Sequence, residues 1–113
     1  MARYVPSRGE IVWLDFEPTR GKEIGKYRPA LVLSSAKYNS KTGLLICCPI
    51  STSIRGGATE VAVTSLDQDC VIATNLVHTL DWRERKASKA ASADPALLQE
   101  VLDRLLPLLG AKP

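Results

Sequence analysis

Apolar and polar positions alternate in short runs, separated by glycine, proline and small polar clusters. After a short arm over residues 1–8, Gly9-Glu10 opens the first run, Ile11-Val12-Trp13-Leu14-Asp15-Phe16. A strand there sets Val12, Leu14 and Phe16 on one face and Ile11 and Trp13 on the other. Two apolar faces call for cover on both sides, from a helix or another subunit. Pro29 to Ser34 is a continuous apolar run and predicts a buried strand. Ser35 to Asn39 suits one helical turn, and Asn39 to Gly43 is turn chemistry. Leu44 to Ile50 is the next strand, and Pro49, with no N–H to donate, predicts an edge or bulge near its end. Thr59 to Val63 alternates like a half-exposed strand. Cys70 to Leu80 holds one or two strands, followed by the polar stretch Asp81 to Lys86.

The C-terminal pattern changes period. Asp94 is a good N-cap and Pro95 fits the first helical position. Leu98, Val101, Leu102, Leu105 and Leu109 form an apolar stripe at helical spacing. Pro107 should weaken the last turn, and Gly110 should stop it. Strands at regular spacing followed by one helix give a mainly β or α+β fold, a small barrel or strongly bent antiparallel sheet, and argue against βαβ units.

With 113 residues, the chain is expected to form a single domain over 1–113. Its net charge of +3 permits an anionic partner without requiring one. The cations are clustered, however: Arg20, Lys22, Lys26, Arg28, Lys37 and Lys41 in one region, Arg83, Arg85, Lys86 and Lys89 in another. Of the 3 cysteines, the adjacent Cys47 and Cys48 point to opposite faces of a strand, so reduced core thiols are expected. No apolar run of membrane-spanning or signal-peptide length occurs, and a cytoplasmic protein is expected.

The loop Gly21-Lys22-Glu23-Ile24-Gly25-Lys26-Tyr27-Arg28-Pro29 carries more chemistry than a turn needs. Pro29 pushes Arg28 into an extended conformation at the mouth of a strand. Together with Ser51 and Thr52 from a second strand end, this loop reads as a device that grips and cuts a phosphodiester. The plain alternative is a solvated loop whose Arg28 makes an ordinary surface ion pair.

Several segments together resemble the MazF/PemK toxin family: Arg3 to Pro6, Gly9 to Thr19, Gly21-Lys22-Glu23, Arg28 to Ser34, Tyr38-Asn39, Lys41-Thr42-Gly43, Pro49-Ile50-Ser51-Thr52, Ile72-Ala73, Thr79-Leu80, Trp82-Arg83 and the helix. The resemblance implies a PemK/CcdB-like, SH3-like barrel with a C-terminal helix, assembled as a homodimer. It implies the toxin of a type II toxin–antitoxin pair, an mRNA interferase inhibited by a small acidic, MazE-like antitoxin. Members cut single-stranded RNA without a metal or other cofactor, leaving 2′,3′-cyclic phosphate and 5′-hydroxyl ends.

That chemistry assigns roles. Arg28 offers paired N–H donors to two phosphate oxygens, a geometry lysine lacks. Ser51 matches the family's threonine at the end of Pro-Ile-Thr and can donate to the phosphate. Glu23 is the candidate general base, although neighbouring cations favour its ionised form and weaken it as a proton acceptor. Further RNA contacts are expected from Lys22, Lys26, Tyr27, Thr52, Arg55, Asn75, His78, Arg83 and Arg85. Trp13 reads as a core or dimer-interface residue, and Trp82 as a cap on the barrel. Ile24, Lys26 and Leu76 depart from the family pattern, and Ile24 and Leu76 remove amides that read base edges. No zinc spacing, nucleophile elbow or P-loop occurs. A non-catalytic CcdB-like toxin acting on a protein such as gyrase is the alternative, and a plain RNA-binding barrel a third reading.

Overall fold

The computed structural model describes residues 4–64 and 66–112. In chain order they form β1 (Glu10–Asp15), β2 (Tyr27–Val32), α1 (Ala36–Thr42), β3 (Leu44–Ser51), β4 (Glu60–Val63), β5 (Cys70–Ala73), β6 (His78–Asp81), β7 (Ser88–Ser92) and α2 (Pro95–Leu108). The strands pair antiparallel in the order β4-β5-β3-β2-β1-β7, with β6 also on β3. The result is a mainly β half-barrel with a C-terminal helix.

β3 is its central strand. One edge pairs with β2, while the other serves β6 through Leu44–Cys47 and β5 through Ile50 and Ser51. Pro49 lies where that edge passes from one strand to the other. A residue without an N–H costs least where no ladder bond is due.

Two apolar clusters lie on the two faces of the sheet. Ile11, Leu31, Cys48, Ile50 and Ile72 pack with Val101 of α2 on one face. Val12, Leu14, Phe16, Val32 and Cys47 pack with Leu80 and Trp82 on the other. The helix thus covers one face of β1, and Trp82 caps the opposite one. Val101 is fully buried, which is worth about 1.5–3 kcal/mol. The adjacent cysteines do face opposite ways, each fully buried and free. Burial pushes the Cys48 thiol up to about 12 and raises those of Cys47 and Cys70 as well.

Asp94 caps α2 by accepting from the Ala96 amide at 2.8 Å. Pro107 does not break the helix, which runs on to Leu108. The chain then closes on itself, with Gly110 donating to the Pro107 carbonyl at 3.1 Å.

Residues expected to form a turn proved to be structural. α1 is longer than one turn, and Gly43, at φ 74°, ends it in the left-handed region that glycine adopts freely. Asn39 is fully buried. Its Nδ2 donates to the carbonyl of Pro6 at 2.7 Å, and its Oδ1 accepts from Ser34 Oγ at 2.5 Å. The Asn39 carbonyl accepts from Trp82 Nε1 at 2.9 Å, and Ser34 Oγ accepts from the Ile46 amide at 2.8 Å. Asn39, through its side-chain amide, its main-chain carbonyl and the Ser34 hydroxyl it engages, therefore joins the N-terminal arm, α1, β3 and the stretch after β6.

β7 was not anticipated, since Ser88-Lys89-Ala90-Ala91-Ser92 has neither β-branched residues nor alternation. It is held by backbone pairing to β1. The Glu10 carboxylate also ties it in, reaching Lys89 Nζ at 3.2 Å, the Tyr4 hydroxyl at 2.7 Å and the Ser7 amide at 2.9 Å. Partial burial alone raises the pKa of Glu10, but these donors outweigh it and hold the carboxyl below its ordinary value. Among the described residues no helix is long and apolar enough to cross a membrane.

Candidate active site

The site begins with strand register. β2 and β3 pair Ala30↔Pro49, Leu31↔Cys48 and Val32↔Cys47. Continuing that register two places brings Arg28 alongside Ser51 at the sheet's rim. Both line a groove of about 690 Å³ with Trp13, Lys26, Tyr27 and Pro29 on one side. Thr52 and Ser53 follow Ser51, while Leu66, Asp67, Gln68 and Cys70 contribute from the far side. Two strand ends separated in sequence thus present a guanidinium and a hydroxyl to one cavity.

Arg28 is fixed rather than free. Its Nε donates to the Gly25 carbonyl at 2.6 Å, and its Nη1 reaches the Ile50 carbonyl at 3.4 Å. Of the five guanidinium N–H donors, three remain for an anion. Partial burial lowers the pKa of Arg28, while the Glu17 carboxylate nearby opposes that shift. Arginine stays charged under such a shift, so partial desolvation strengthens its pull on an anion.

Glu17 also shapes the loop. Its Oε2 accepts from the Lys26 amide at 2.7 Å. A Cβ on Gly25 would collide with that same carboxylate, which explains a glycine here. Lys26 has φ 72°, the left-handed region that a non-glycine residue enters at a cost. The Glu17 bond helps to hold it there.

Of the two places expected for Trp13, the single chain excludes the core. The residue lies outside the apolar core, 38% exposed, and stacks on Tyr27 with ring centroids 5.4 Å apart and planes 13° from parallel. The register explains the pairing: Trp13 faces Pro29, and Tyr27 is its diagonal cross-strand neighbour. The stacked pair forms part of the groove wall.

Of the residues expected at a site, the groove gathers Lys26, Tyr27, Arg28, Ser51 and Thr52. The others lie outside its lining. Glu23 is turned back on its own loop, accepting from the Arg20 amide at 2.6 Å, and Lys22 is exposed beside it. The amides of Arg55 and Gly56 are held by Glu60 at 3.1 and 2.9 Å. Asn75 accepts from the Thr59 hydroxyl at 3.3 Å. His78 Nδ1 lies 2.7 Å from the Leu76 carbonyl, with its ring edge-on to Phe16. Arg83 sits over Trp82, and Arg85 Nη1 donates to the carbonyls of Asp15 and Glu17 at 3.1 and 2.6 Å. Arg85 therefore braces the strand end from which the Glu17 loop departs.

The sequence reading missed Asp67, Gln68 and the bracing role of Glu17. A signal for Glu17 was available, since a carboxylate closes β1 and faces a glycine-containing loop. Asp67 and Gln68 gave none, because only the fold brings the β4–β5 loop to β2.

Fold and groove together define a mainly β half-barrel scaffold with a groove at its rim that takes in Arg28 and Ser51. The chain belongs to the PemK-like, MazF-like toxins of type II toxin–antitoxin systems, whose family model matches residues 7–109. It is 38% identical over 110 residues to the endoribonuclease toxin MazF of Escherichia coli K12, covering 97% of this chain and 99% of that protein. The endoribonuclease PemK of Escherichia coli is 29% identical over 107 residues, covering 90% of this chain and 80% of that protein. Crystalline MazF from Deinococcus radiodurans superposes with a TM-score of 0.91 at 43% identity, covering 96% of this chain and 99% of that one. The toxin of its MazE–MazF complex (Form-II) gives 0.85 at 40% identity, covering 97% and 100%.

Proposed function

We infer that the chain is an endoribonuclease toxin that cuts single-stranded RNA, with the scissile phosphate held between Arg28 and Ser51. The observation carrying this reading is the meeting of those two residues in one groove, with guanidinium donors unengaged. Resemblance to proteins named endoribonucleases supports it. A protein poison of the gyrase-directed kind has no use for such a pair and is not favoured. The chain acts as a single domain in the cytoplasm, pairs with a second copy, and is silenced by an acidic antitoxin lying across the basic rim. The MazE-bound relatives support that last point.

In the reaction, the 2′-hydroxyl oxygen attacks the adjacent phosphorus. The 5′ oxygen leaves and takes up a proton from solvent, giving a 2′,3′-cyclic phosphate and a 5′-hydroxyl. Arg28 neutralises charge building on the non-bridging oxygens, and Ser51 donates a further hydrogen bond. Ser51 Oγ already accepts from the Ser53 amide at 3.0 Å, so its own proton is free for the phosphate. Glu23 takes the 2′-OH proton, and to do so it exchanges the Arg20 amide for the substrate. No protein cofactor is needed for this sequence of bond changes.

The test is digestion of a defined single-stranded RNA in excess EDTA. Discrete cuts are expected, and intact RNA contradicts the reading. Glu23→Gln adds a specific check, because glutamine still accepts from the Arg20 amide but cannot take a proton. A loss of roughly 10²-fold is expected, at the low end of general-base effects. An unchanged rate would leave Glu23 as a loop fastener alone.

A further inference from the structure

The groove has a polarity that phosphate gripping alone does not explain. Lys26 and Arg28 lie on one wall, while Asp67 and Gln68, from the loop joining β4 and β5, lie on the other. Of the polar side chains lining it, Ser51 is engaged by the Ser53 amide, Tyr27 by Ser88 and Arg28 by the Gly25 and Ile50 carbonyls, whereas Lys26 and Thr52, among the described residues, make no side-chain hydrogen bond. Among the described residues, Asp67 and Gln68 have no such hydrogen-bond partner, although both line the groove.

We propose that Gln68, with Asp67 beside it, determines base specificity: together they read the edge of a base stacked on the Trp13–Tyr27 pair while Arg28 holds the adjoining phosphate. This rests on the single-stranded RNA reading above and names the class of nucleotide that the site prefers. The wall charges orient the nucleotide. A phosphate is drawn to Lys26 and Arg28 and repelled by Asp67, so the backbone follows the first wall and the base extends towards the second. Single-stranded bases are free to splay in this way, and an exposed aromatic face is the usual platform for them.

The donor pattern then selects the base. An amide offers one acceptor and paired donors, whereas a carboxylate only accepts. Adenine and cytosine present an amino donor beside a ring-nitrogen acceptor, and both groups are matched. Uracil places a carbonyl oxygen where that amino group sits, setting lone pairs against the Asp67 carboxylate. The site therefore favours adenine and cytosine over uracil. It also supplies an amide for base reading in a chain that carries Ile24 and Leu76 where relatives often use glutamine.

The test uses short 2′-O-methyl oligonucleotides of A, C or U, which lack the attacking hydroxyl and cannot be cut by this chemistry. Their affinities are read by fluorescence anisotropy. The intact protein is expected to bind the A or C oligomer about tenfold tighter than the U oligomer, a preference in the range of one well-made base contact. Gln68→Ala should bring that ratio close to one. Asp67→Asn, which replaces an acceptor by an amide, should raise U binding and narrow the ratio from the other side. Equal affinities for all three oligomers in the unmodified protein overturn the proposal, as does an unchanged ratio in both variants. Failure to cut RNA in EDTA would instead strike the nuclease reading, and the titration would still report on base preference.

Discussion

Arg28→Ala is expected to lower cleavage of single-stranded RNA by at least about 10³-fold while leaving the fold intact. One preorganised donor to a developing oxyanion is worth roughly 10²–10³-fold. Arg28 supplies more than one donor and a full charge in a partly desolvated groove. Little stability should be lost with it. Its hydrogen bonds go to the carbonyls of Gly25 and Ile50 at the rim, and no buried partner is stranded by truncation. Arg28→Lys separates charge from geometry, because an ammonium cannot donate in a bidentate fork. That variant should recover only part of the rate. Circular dichroism and thermal melting alongside the assay would show whether lost activity reflects lost structure. A folded Arg28→Ala protein cutting at the original rate would remove Arg28 from the chemistry.

Asn39→Ala is expected to be the most damaging single change to stability outside the apolar core, at about 2–4 kcal/mol. The Asn39 side chain is fully buried and satisfies both the Pro6 carbonyl and the Ser34 hydroxyl. Truncation leaves these groups buried without partners, at about 1–3 kcal/mol each in the unrelaxed case. Some relaxation follows, since Ser34 Oγ can still accept from the Ile46 amide. The bond from Trp82 to the Asn39 carbonyl is a main-chain contact and survives. Denaturant melts should show a lower midpoint with an unchanged slope. Asn39→Asp tests the same network differently, because it retains an acceptor for Ser34 but loses the donor to Pro6. A melting midpoint within error of the parent for Asn39→Ala would contradict this account of the network.

The strands that strong apolar runs predict are the ones found. Ile11 to Phe16, Pro29 to Ser34 and Leu44 to Ile50 become β1, β2 and β3, and their faces separate into the two core clusters. The helix was equally legible from Asp94, Pro95 and the leucine spacing. β7 was not, because its residues carry no β signal and its place is fixed by pairing with β1 and by Lys89 meeting Glu10. Asn39 read as turn chemistry since an asparagine's local preference says nothing of a partner 33 residues earlier in the chain.

The site divides along the same line. Arg28 and Ser51 could be placed from Pro29 and from the strand ends, which are local features. Glu23 could not, because a charge on a glycine-containing loop has several partners within reach, and the Arg20 amide holds it here. Trp13 read as a core or dimer-interface residue, and only the fold shows the diagonal relation to Tyr27 that sets it on the groove wall. Asp67 and Gln68 reach the site only through folding of the β4–β5 loop. Sequence therefore marked Arg28 and Ser51 at the groove, and tertiary structure added the opposite wall.

The central claim is that the groove promotes attack by the RNA's own 2′-hydroxyl on a phosphate held at Arg28 and Ser51. Mass spectrometry of the fragments formed in EDTA tests this most directly. Upstream fragments ending in 2′,3′-cyclic phosphate, with 5′-hydroxyl downstream ends and an uncut substrate when the attacking 2′-hydroxyl is methylated, are the predicted result. Fragments with 3′-hydroxyl and 5′-phosphate ends, or cleavage of the methylated RNA at the same bond, would contradict it.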